Sequence, residues 1–482
     1  MNKKIVKNYI YNTLYQVLAI IAPLITAPYI SRVLHTDGVG LYSYTYTITT
    51  VFVLFAGLGF GSYGQREIAY HQDDIHQRSV IFYEIMFFRA VLTVIISALF
   101  IVFSLHYRQY TCYLLPQVLI IFALIFEMSW YFQGLENFRI IVTRNAIVKL
   151  ATILCTFIFV RTEADIDKYI LLHALSPLLS NIIYCAVIPR YIEKVSFSQL
   201  HPLRHLKGSI EFFLPLVAVQ IYSYLDKLML GFYMTTTVEN GYYEQARKIT
   251  QIIVTLIISL NTVMMSRISN LYANDQKEQI RKYYEKTFSI ILMMLLPICV
   301  GLIFVSDNFV LWFFGAEFQK VGSLLKACSL LIALMCIGNF VGVQFLSPTG
   351  LQNKMTMAYA IAAASNVVMN MLLIPRLYSM GSLIASIIAE AVSCFIQVGL
   401  LLKSEYKFPI PRSLWKYTVA TAVMAGVIVL EQNSVQLTGV ISTIVDVIFG
   451  GVVYMVVLVL LKEENLQDIK VAIMQKIPRR LR

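Results

Sequence analysis

Three basic side chains stand inside long apolar segments of this chain. They are Arg89, Lys149 and Lys227. If these segments cross a membrane, a lone charge near the bilayer centre costs roughly 2.5–3.5 kcal/mol, so the residue normally faces a cavity or a partner. Facing a cavity, the three cations would bind an anionic ligand. The alternative is structural ion pairing, of Arg89 with Glu127 and of Lys227 with Glu390.

A second group of polar residues on apolar segments offers oxygen atoms: Asp226, Asn366, Asn370 and Glu390. Asn366 and Asn370 are four residues apart and share one helix face. Glu390 shares a face with Ser382 and Ser386 in the same way. Such oxygens suit a hard cation, or a carboxylate that exchanges a proton. Hydrogen bonding between helices is the other interpretation of these amides and hydroxyls.

The composition excludes an ordinary soluble enzyme. Hydrophobic residues make up 58% of the 482 residues and charged residues 14%, with a mean hydropathy of +0.70. A soluble globular chain is typically about 25% charged. A membrane-spanning helix needs roughly 20 apolar residues, and about fourteen such segments can be laid out. The predicted fold is therefore an all-α integral membrane protein with about 14 transmembrane helices.

The predicted spans are 9–33, 41–64, 79–104, 113–134, 141–160, 169–189, 210–234, 249–270, 287–306, 323–347, 355–375, 379–402, 414–431 and 437–461. With a cytoplasmic N-terminus, most Lys and Arg fall on the cytoplasmic side, as the positive-inside rule requires. The formal net charge of +12 therefore indicates membrane orientation and no nucleic-acid partner. Both termini are predicted to be cytoplasmic. The seven cysteines show no metal or disulfide spacing.

An internal repeat sets the predicted organisation. The sequence Gly-Leu-Glu-Asn at 134–137 recurs as Gly-Leu-Gln-Asn at 350–353, six spans later. The segments starting at Gly40 and Gly241 also correspond. Six is an even number, so the two halves have the same orientation and are related by an axis along the membrane normal. This predicts a six-helix lobe at 1–200 and another at 201–402. Two additional helices and a basic cytoplasmic tail occupy 403–482.

Several motifs resemble the Wzx-type oligosaccharide flippases. They are Pro-Tyr-Ile-Ser-Arg-Val at 28–33, Gly-Val-Gly-Leu-Tyr at 38–42, Asp-Lys at 226–227 and Met-Ser-Arg-Ile-Ser at 265–269. That family belongs to the multidrug/oligosaccharidyl-lipid/polysaccharide exporter superfamily, with the lipid II flippases and the MATE drug antiporters. The resemblance implies a MATE-like fold. It also implies export of undecaprenyl-diphosphate-linked oligosaccharides to the outer leaflet by alternating access, for surface polysaccharides such as O-antigen.

The resemblance also implies roles for individual residues. The implied substrate contacts are Arg32, Arg89, Lys149, Lys227 and Arg267. The implied ion-coupling residues are Asp226, Asn366, Asn370 and Glu390, which resemble the sodium site of lipid II flippases except that Asn370 replaces a carboxylate. A coupling cation, H⁺ or Na⁺, is thus the one cofactor expected. Snorkelling to the membrane surface is the alternative role for Arg267 and for Arg144.

Aromatic and histidine residues near the predicted cavity have two interpretations each. Tyr42, Tyr44 and Tyr46 form an aromatic belt at the interface, or stack against sugars. His173 is a protonatable cavity group or a packing histidine.

Two other function classes share features of this sequence. A MATE-like antiporter for organic cations has the same fold, although carboxylates should dominate its pocket. A membrane enzyme such as an oligosaccharide polymerase should carry a large outer loop, and none is present. The favoured prediction is a transporter of the bacterial plasma (inner) membrane. Its expected partners are membrane lipid, the lipid-linked oligosaccharide, a polymerase and other polysaccharide-assembly proteins.

Overall fold

The computed structural model describes residues 3–274, 276–406, 410–434 and 437–467, and these form helices, turns and loops without a β-strand. The basic tail, including Arg479, lies outside the described residues. The α-helices within these ranges are α1 (Lys3–Gly57), α2 (Phe60–Tyr70), α3 (Ile75–His106), α4 (Thr111–Leu114), α5 (Val118–Phe122), α6 (Ser129–Gly134), α7 (Phe138–Phe159), α8 (Ile166–Val187), α9 (Leu206–Tyr233), α10 (Val238–Ala273), α11 (Lys277–Phe313), α12 (Lys320–Val341), α13 (Gln352–Leu402), α14 (Leu414–Ser434) and α15 (Gly439–Leu460).

Ten segments of the described chain are long and apolar enough to cross a membrane. Two of them, Val17–Tyr70 with 54 residues and Gln352–Leu402 with 51, are each long enough for two crossings. The predicted spans 210–234 and 249–270 fall in α9 and α10. The prediction of an all-α membrane protein with about 14 spanning helices is confirmed.

Two backbone breaks separate predicted neighbouring spans. His35 has φ 56° and ψ −172° inside α1, between the spans predicted at 9–33 and 41–64. Tyr378 has φ 57° and ψ −132° inside α13. A Cβ atom added at Gly381 would lie 2.4 Å from the carbonyl oxygen of Leu373, whereas a straight helix would separate these residues by about 12 Å. The chain therefore turns back at Tyr378.

Contacts divide the chain into two compact units, Met1–Gly241 and Tyr242–Arg482. The first unit includes α9, which packs against α1 and α2. These units follow from contacts, whereas the lobes at 1–200 and 201–402 follow from the sequence repeat. The lobe boundaries and the extra segment 403–482 stay predictions.

Two glycines that correspond in the sequence repeat meet in the first unit. A Cβ atom at Gly40 would lie 1.8 Å from the carbonyl oxygen of Thr237, and one at Gly241 would lie 2.5 Å from that of Thr36. Any larger side chain would push the two backbone segments apart. Glycine at both positions is therefore explained by close backbone approach.

The fourth predicted span, 113–134, is not a regular helix. It consists of short α-helical and 3₁₀ pieces, and the backbone is extended at Glu127, with φ −79° and ψ 108°. A break at membrane depth frees backbone groups that must find new partners. Here the carbonyl oxygen of Glu127 accepts hydrogen bonds from Arg89 (3.0 Å) and from the Trp130 indole (3.1 Å).

The second unit has a core formed by α10 to α15. Helix α11 packs against α12, α14 and α15. At the end of α12 the helix widens into a π-helical turn, Gly342–Leu346. Beside it Asn261 donates to Asn339 (2.8 Å), and Gln344 donates to Asn261 (2.7 Å). This polar network provides hydrogen bonds between amides that are buried among apolar side chains.

Candidate functional site

A polar cavity of about 440 Å³ opens in the first unit. It lies between α1, α5, α7 and α8. The lining residues are Tyr42, Tyr46, Ile120, Arg144, Asn145, Val148, Lys149, His173, Ser176, Pro177, Ser180 and Asn181. This volume lies in the usual range for ligand pockets, about 300–1,000 Å³. Its lining carries two basic side chains and no carboxylate.

Arg144 is fixed in the wall of this cavity by amide oxygens and an aromatic ring. Its guanidinium donates to Asn181 Oδ1 (2.8 Å), to the Ser180 carbonyl (3.2 Å) and to Asn145 Oδ1 (2.6 Å). It also lies 4.0 Å from the ring centre of Tyr184, a cation–π contact. Arg144 is buried, so it is held inside the cavity wall instead of snorkelling to the membrane surface.

Lys149 stands on the same helix, α7, at the cavity surface. It is an exposed residue. Among the residues that the structure describes, no carboxylate lies within ion-pairing distance of its ammonium group. An ammonium that faces a polar cavity without a counter-ion is a binding point for an anion. Lys149 was predicted as a substrate contact from its position in an apolar run, and it lines the cavity.

Aromatic rings form a second wall of the cavity. The rings of Tyr42 and Tyr46 stack with centres 5.4 Å apart and planes 24° apart. His173 lies 5.3 Å from Tyr42 and 4.4 Å from Tyr169. Aromatic faces next to hydroxyl and amide groups suit a ligand that has both apolar and hydroxylated surfaces. Of the two interpretations of Tyr42, Tyr46 and His173, the cavity positions favour ligand contact.

Arg89 lies elsewhere in the first unit. It is buried and forms an ion pair with Glu127, with 2.7 Å between Nη1 and Oε2. Glu127 also accepts a hydrogen bond from the backbone N–H of Ser129 (3.0 Å). Through this ion pair Arg89 bridges the break in the fourth span. Ion pairing with Glu127 was the alternative to substrate contact that the sequence left open for Arg89.

The remaining cations predicted as substrate contacts occupy separate positions. Arg32 is exposed on α1, and Lys227 is half-buried on α9. The carbonyl oxygen of Lys227 accepts a hydrogen bond from Asn240 (2.8 Å). Arg267 lies in α10, and its side chain is outside the described residues. Asp226, next to Lys227 in the sequence, is buried.

The predicted ion-coupling residues of the second unit lie on α13. Asn366 and Asn370 are fully buried, and Asn370 donates to Asn366 Oδ1 at 3.0 Å. Glu390 is half-buried on the second half of the same helix. Ser386 contacts the hydroxyl of Tyr243 at 3.1 Å. Within the described ranges no cluster of three or more His, Cys, Asp or Glu could hold a metal ion.

Sequence reasoning named His173 of α8 as a possible cavity residue but missed Ser180 and Asn181 on the same helix. Ser180 and Asn181 hold Arg144 in place, and Asn181 in turn donates to the carbonyl of Ala123 (2.9 Å). A pair of polar residues in the middle of an apolar span is a signal for inward-facing positions. The sequence contained that signal, but not the identity of the facing helix.

The helices and the charged cavity define a multi-pass membrane transporter, and comparisons with known proteins agree. A candidate O-antigen transporter of Shigella dysenteriae is 24% identical over 71% of this chain and 86% of its own length. A candidate O-antigen transporter of Escherichia coli K12 is 23% identical over 82% of this chain and 95% of its own length. Both relatives are transporters by name, and the chain is not an enzyme.

The structure of a lipid II flippase, MurJ, in its inward closed conformation superimposes with a TM-score of 0.79 at 17% identity. The match covers 95% of this chain and 100% of that one. An inward-facing MATE multidrug transporter superimposes with a TM-score of 0.59 at 13% identity, over 84% of this chain and 98% of that one. The family model for polysaccharide biosynthesis proteins matches residues 5–272, more than half of the chain. The protein belongs to this family.

Proposed function

We propose that the protein is a flippase of the bacterial plasma membrane. It moves an undecaprenyl-diphosphate-linked oligosaccharide from the cytoplasmic to the outer leaflet, for O-antigen, capsule or exopolysaccharide synthesis. Support comes from the family, from relatives named as O-antigen transporters and from the likeness to a lipid II flippase fold. The observation that carries the proposal is the cavity with Lys149 and Arg144, which has no carboxylate in its lining.

The cavity offers a ligand two kinds of contact, positive charge and aromatic surface. Lys149 supplies a mobile ammonium that can follow an anionic group, because its stem is flexible. Arg144 supplies positive potential from a fixed position, since its hydrogen bonds are already made within the wall. Tyr42, Tyr46 and His173 supply aromatic faces for sugar rings. This cavity would repel the organic cations that a MATE-like antiporter carries.

The membrane potential is a sufficient source of energy for the proposed movement. One charge crossing 100 mV is worth about 2.3 kcal/mol. A diphosphate with roughly two negative charges that leaves an inside-negative cell therefore gains on the order of 4–5 kcal/mol. Alternating access without ATP is consistent with the fold of the lipid II flippase and MATE structures.

Coupling to H⁺ or Na⁺ is a second part of the proposal. Asp226, Asn366, Asn370 and Glu390 are the proposed coupling residues. The burial of Asp226 and of both asparagines supports the proposal, because buried oxygens are the ligands that a desolvated cation needs. Asp226→Asn and Glu390→Gln are expected to change the dependence of transport on proton or sodium gradients. Unchanged gradient dependence in both variants would remove this site.

Arg32, Lys227 and Arg267 complete the set of proposed substrate contacts, whereas the ion pair of Arg89 with Glu127 supports a structural role for Arg89. Arg32 and Lys227 lie on α1 and α9 of the first unit, and Arg267 lies on α10. We place both termini in the cytoplasm on the charge distribution alone. A polymerase and other assembly proteins would receive the exported unit on the outer side.

The test is depletion of the protein in its own host, followed by a membrane-impermeant lectin or glycosidase. We expect single lipid-linked units to accumulate on the inner leaflet and to clear when wild-type protein returns. Accumulation of single units outside would indicate a polymerisation defect instead. Altered drug sensitivity without accumulation would indicate an antiporter.

A further inference from the structure

Two carboxylic acids meet where the last two helices of the second unit are joined. Glu431 lies one turn before the end of α14, and Asp446 lies two turns into α15. Gln432, next to Glu431 in the sequence, donates to Asp446 Oδ2 at 3.1 Å, and the carboxyl groups of Glu431 and Asp446 lie close enough to interact. Neither residue belongs to the coupling set proposed above.

Both acids are shielded from solvent and poorly supplied with donors. Asp446 is 1% exposed. Its Oδ2 accepts a hydrogen bond from Gln432 Nε2 (3.1 Å), and its Oδ1 accepts none. Both carboxyl oxygens of Glu431 are covered and accept no hydrogen bond from any described residue. Burial of an ionised carboxylate without donors is costly, and such a group becomes neutral instead.

The surroundings supply no positive charge within the described residues. Asp446 lines an apolar cavity of about 520 Å³ between α10, α11, α14 and α15, in which Tyr454 is the other ionisable residue. The Tyr454 hydroxyl donates to the Met293 carbonyl at 2.7 Å. On α11, Asp307 already pairs with Lys326 of α12 at 2.5 Å. Among the described side chains of these helices, no Lys or Arg forms an ion pair with either acid.

The polar groups next to the acids are also engaged with each other. Asn308 and Trp312 both donate to the Thr443 hydroxyl, at 3.0 and 2.8 Å. The second contact of Gln432 is to the Phe304 carbonyl at 3.4 Å. Two ionised carboxylates cannot form a hydrogen bond with each other, because each can only accept hydrogen bonds. A proton between them supplies the missing donor and removes one charge.

We propose that Glu431 and Asp446 form a proton-binding site, in which the two carboxyl groups share one proton at neutral pH. A metal ion is a poorer occupant, because Ca²⁺ takes about 6–8 oxygen ligands and two acids with one amide offer fewer. Loss of the proton leaves two negative charges beside an apolar cavity, and their repulsion loosens the contact between α14 and α15.

The test uses infrared difference spectroscopy on the purified full chain. Wild type should show the carbonyl stretch of a protonated carboxylic acid at neutral pH, and the band should shift in heavy water and vanish at alkaline pH. In Glu431→Gln or Asp446→Asn the new amide donates to the remaining acid, which then ionises. Each single substitution should therefore abolish the band completely.

Glu463→Gln is the matched control. Glu463 is also buried, but its carboxylate accepts hydrogen bonds from Tyr417 (2.6 Å), Asn465 (2.9 Å) and the Leu466 N–H (2.7 Å). This variant should keep the band. Absence of the band in folded wild type would overturn the proposal, and so would its survival in either single variant. Removal of the band by sodium chloride but not by choline chloride at constant pH would replace the proton with a metal cation.

Discussion

The two compact units bury charge in opposite ways. In the first unit buried Glu84 pairs with Arg204, and half-buried Glu127 pairs with buried Arg89. Lys149 lines the cavity of the first unit, and no described carboxylate lies within ion-pairing distance of it. In the second unit the buried pair Glu431 and Asp446 has no cation within the described residues. Charges that are paired hold backbone segments in place, whereas charges that lack a partner mark positions where a ligand or a proton is needed.

The pair between Glu84 and Arg204 illustrates the structural use of charge. Glu84 is fully buried on α3 and accepts hydrogen bonds from the His201 N–H (2.6 Å), from Arg204 and from His205 Nε2 (2.8 Å). His205 also contacts the Tyr63 hydroxyl at 2.8 Å. One carboxylate thus fixes the segment that leads into α9.

The largest expected effect comes from removing one member of the Arg89–Glu127 pair. Arg89→Ala leaves half-buried Glu127 without its cation and removes one of the two hydrogen bonds to the Glu127 carbonyl, so we expect a loss of about 3–5 kcal/mol in the free energy of unfolding. Thermal unfolding in detergent measures it. Lys168→Ala is the control, because the Lys168 side chain is 61% exposed in its pair with Asp165, and an exposed pair is worth about 0–1 kcal/mol. Full stability with lost transport in Arg89→Ala would instead assign Arg89 to the substrate.

A smaller loss is expected from Arg144→Lys, which keeps the charge and removes the planar donor group. Lysine cannot serve Asn181, Asn145 and the Ser180 carbonyl together, and we expect a loss of about 1–3 kcal/mol. Transport should fall with stability, because the cavity wall loses its shape. Unchanged unfolding temperature would show that the hydrogen bonds of Arg144 do not stabilise the wall.

The pH dependence of stability should show the effect of His205. Burial lowers the pKa of His205 below its ordinary value, so the unfolded chain binds an additional proton as the pH falls below about 6.5. Stability contributed by this neutral histidine is present above that pH and is lost at lower pH, by at most about 1.4 kcal/mol per pH unit. The unfolding temperatures of wild type and His205→Gln, compared from about pH 7.5 to about pH 5.5, should therefore converge in acid. Parallel curves would contradict this assignment.

The smallest effect on stability, and the sharpest test of the comparison, is expected for Lys149→Ala. No buried partner loses its charge, so the free energy of unfolding should change by less than about 0.5 kcal/mol. Export of the lipid-linked oligosaccharide should nevertheless fall strongly, and Lys149→Arg should restore part of it. Lys168→Ala, at the start of α8, should leave export unchanged. Normal export in Lys149→Ala at normal protein levels would remove the cationic cavity from the proposed mechanism.

Hydropathy and charge in the sequence predicted the fold class and the order of the apolar helices, because membrane insertion depends on segment length and local composition. The breaks at His35 and Tyr378 fall between spans that were predicted separately. The irregular fourth span was predicted as a single span, since its apolar composition does not reveal the break at Glu127. The lobe boundaries and the roles of the predicted site residues stay predictions.

The sequence by itself determined that charged residues lie inside the membrane, because charge in an apolar run is visible without coordinates. Only the tertiary structure decided which of them have partners. Arg89 and Glu127 are 38 residues apart in sequence yet form an ion pair of 2.7 Å, and Lys149 has no carboxylate within pairing distance in the described chain. Pairing depends on how helices that are distant in sequence pack and rotate, and helix periodicity alone does not fix which face meets which neighbour.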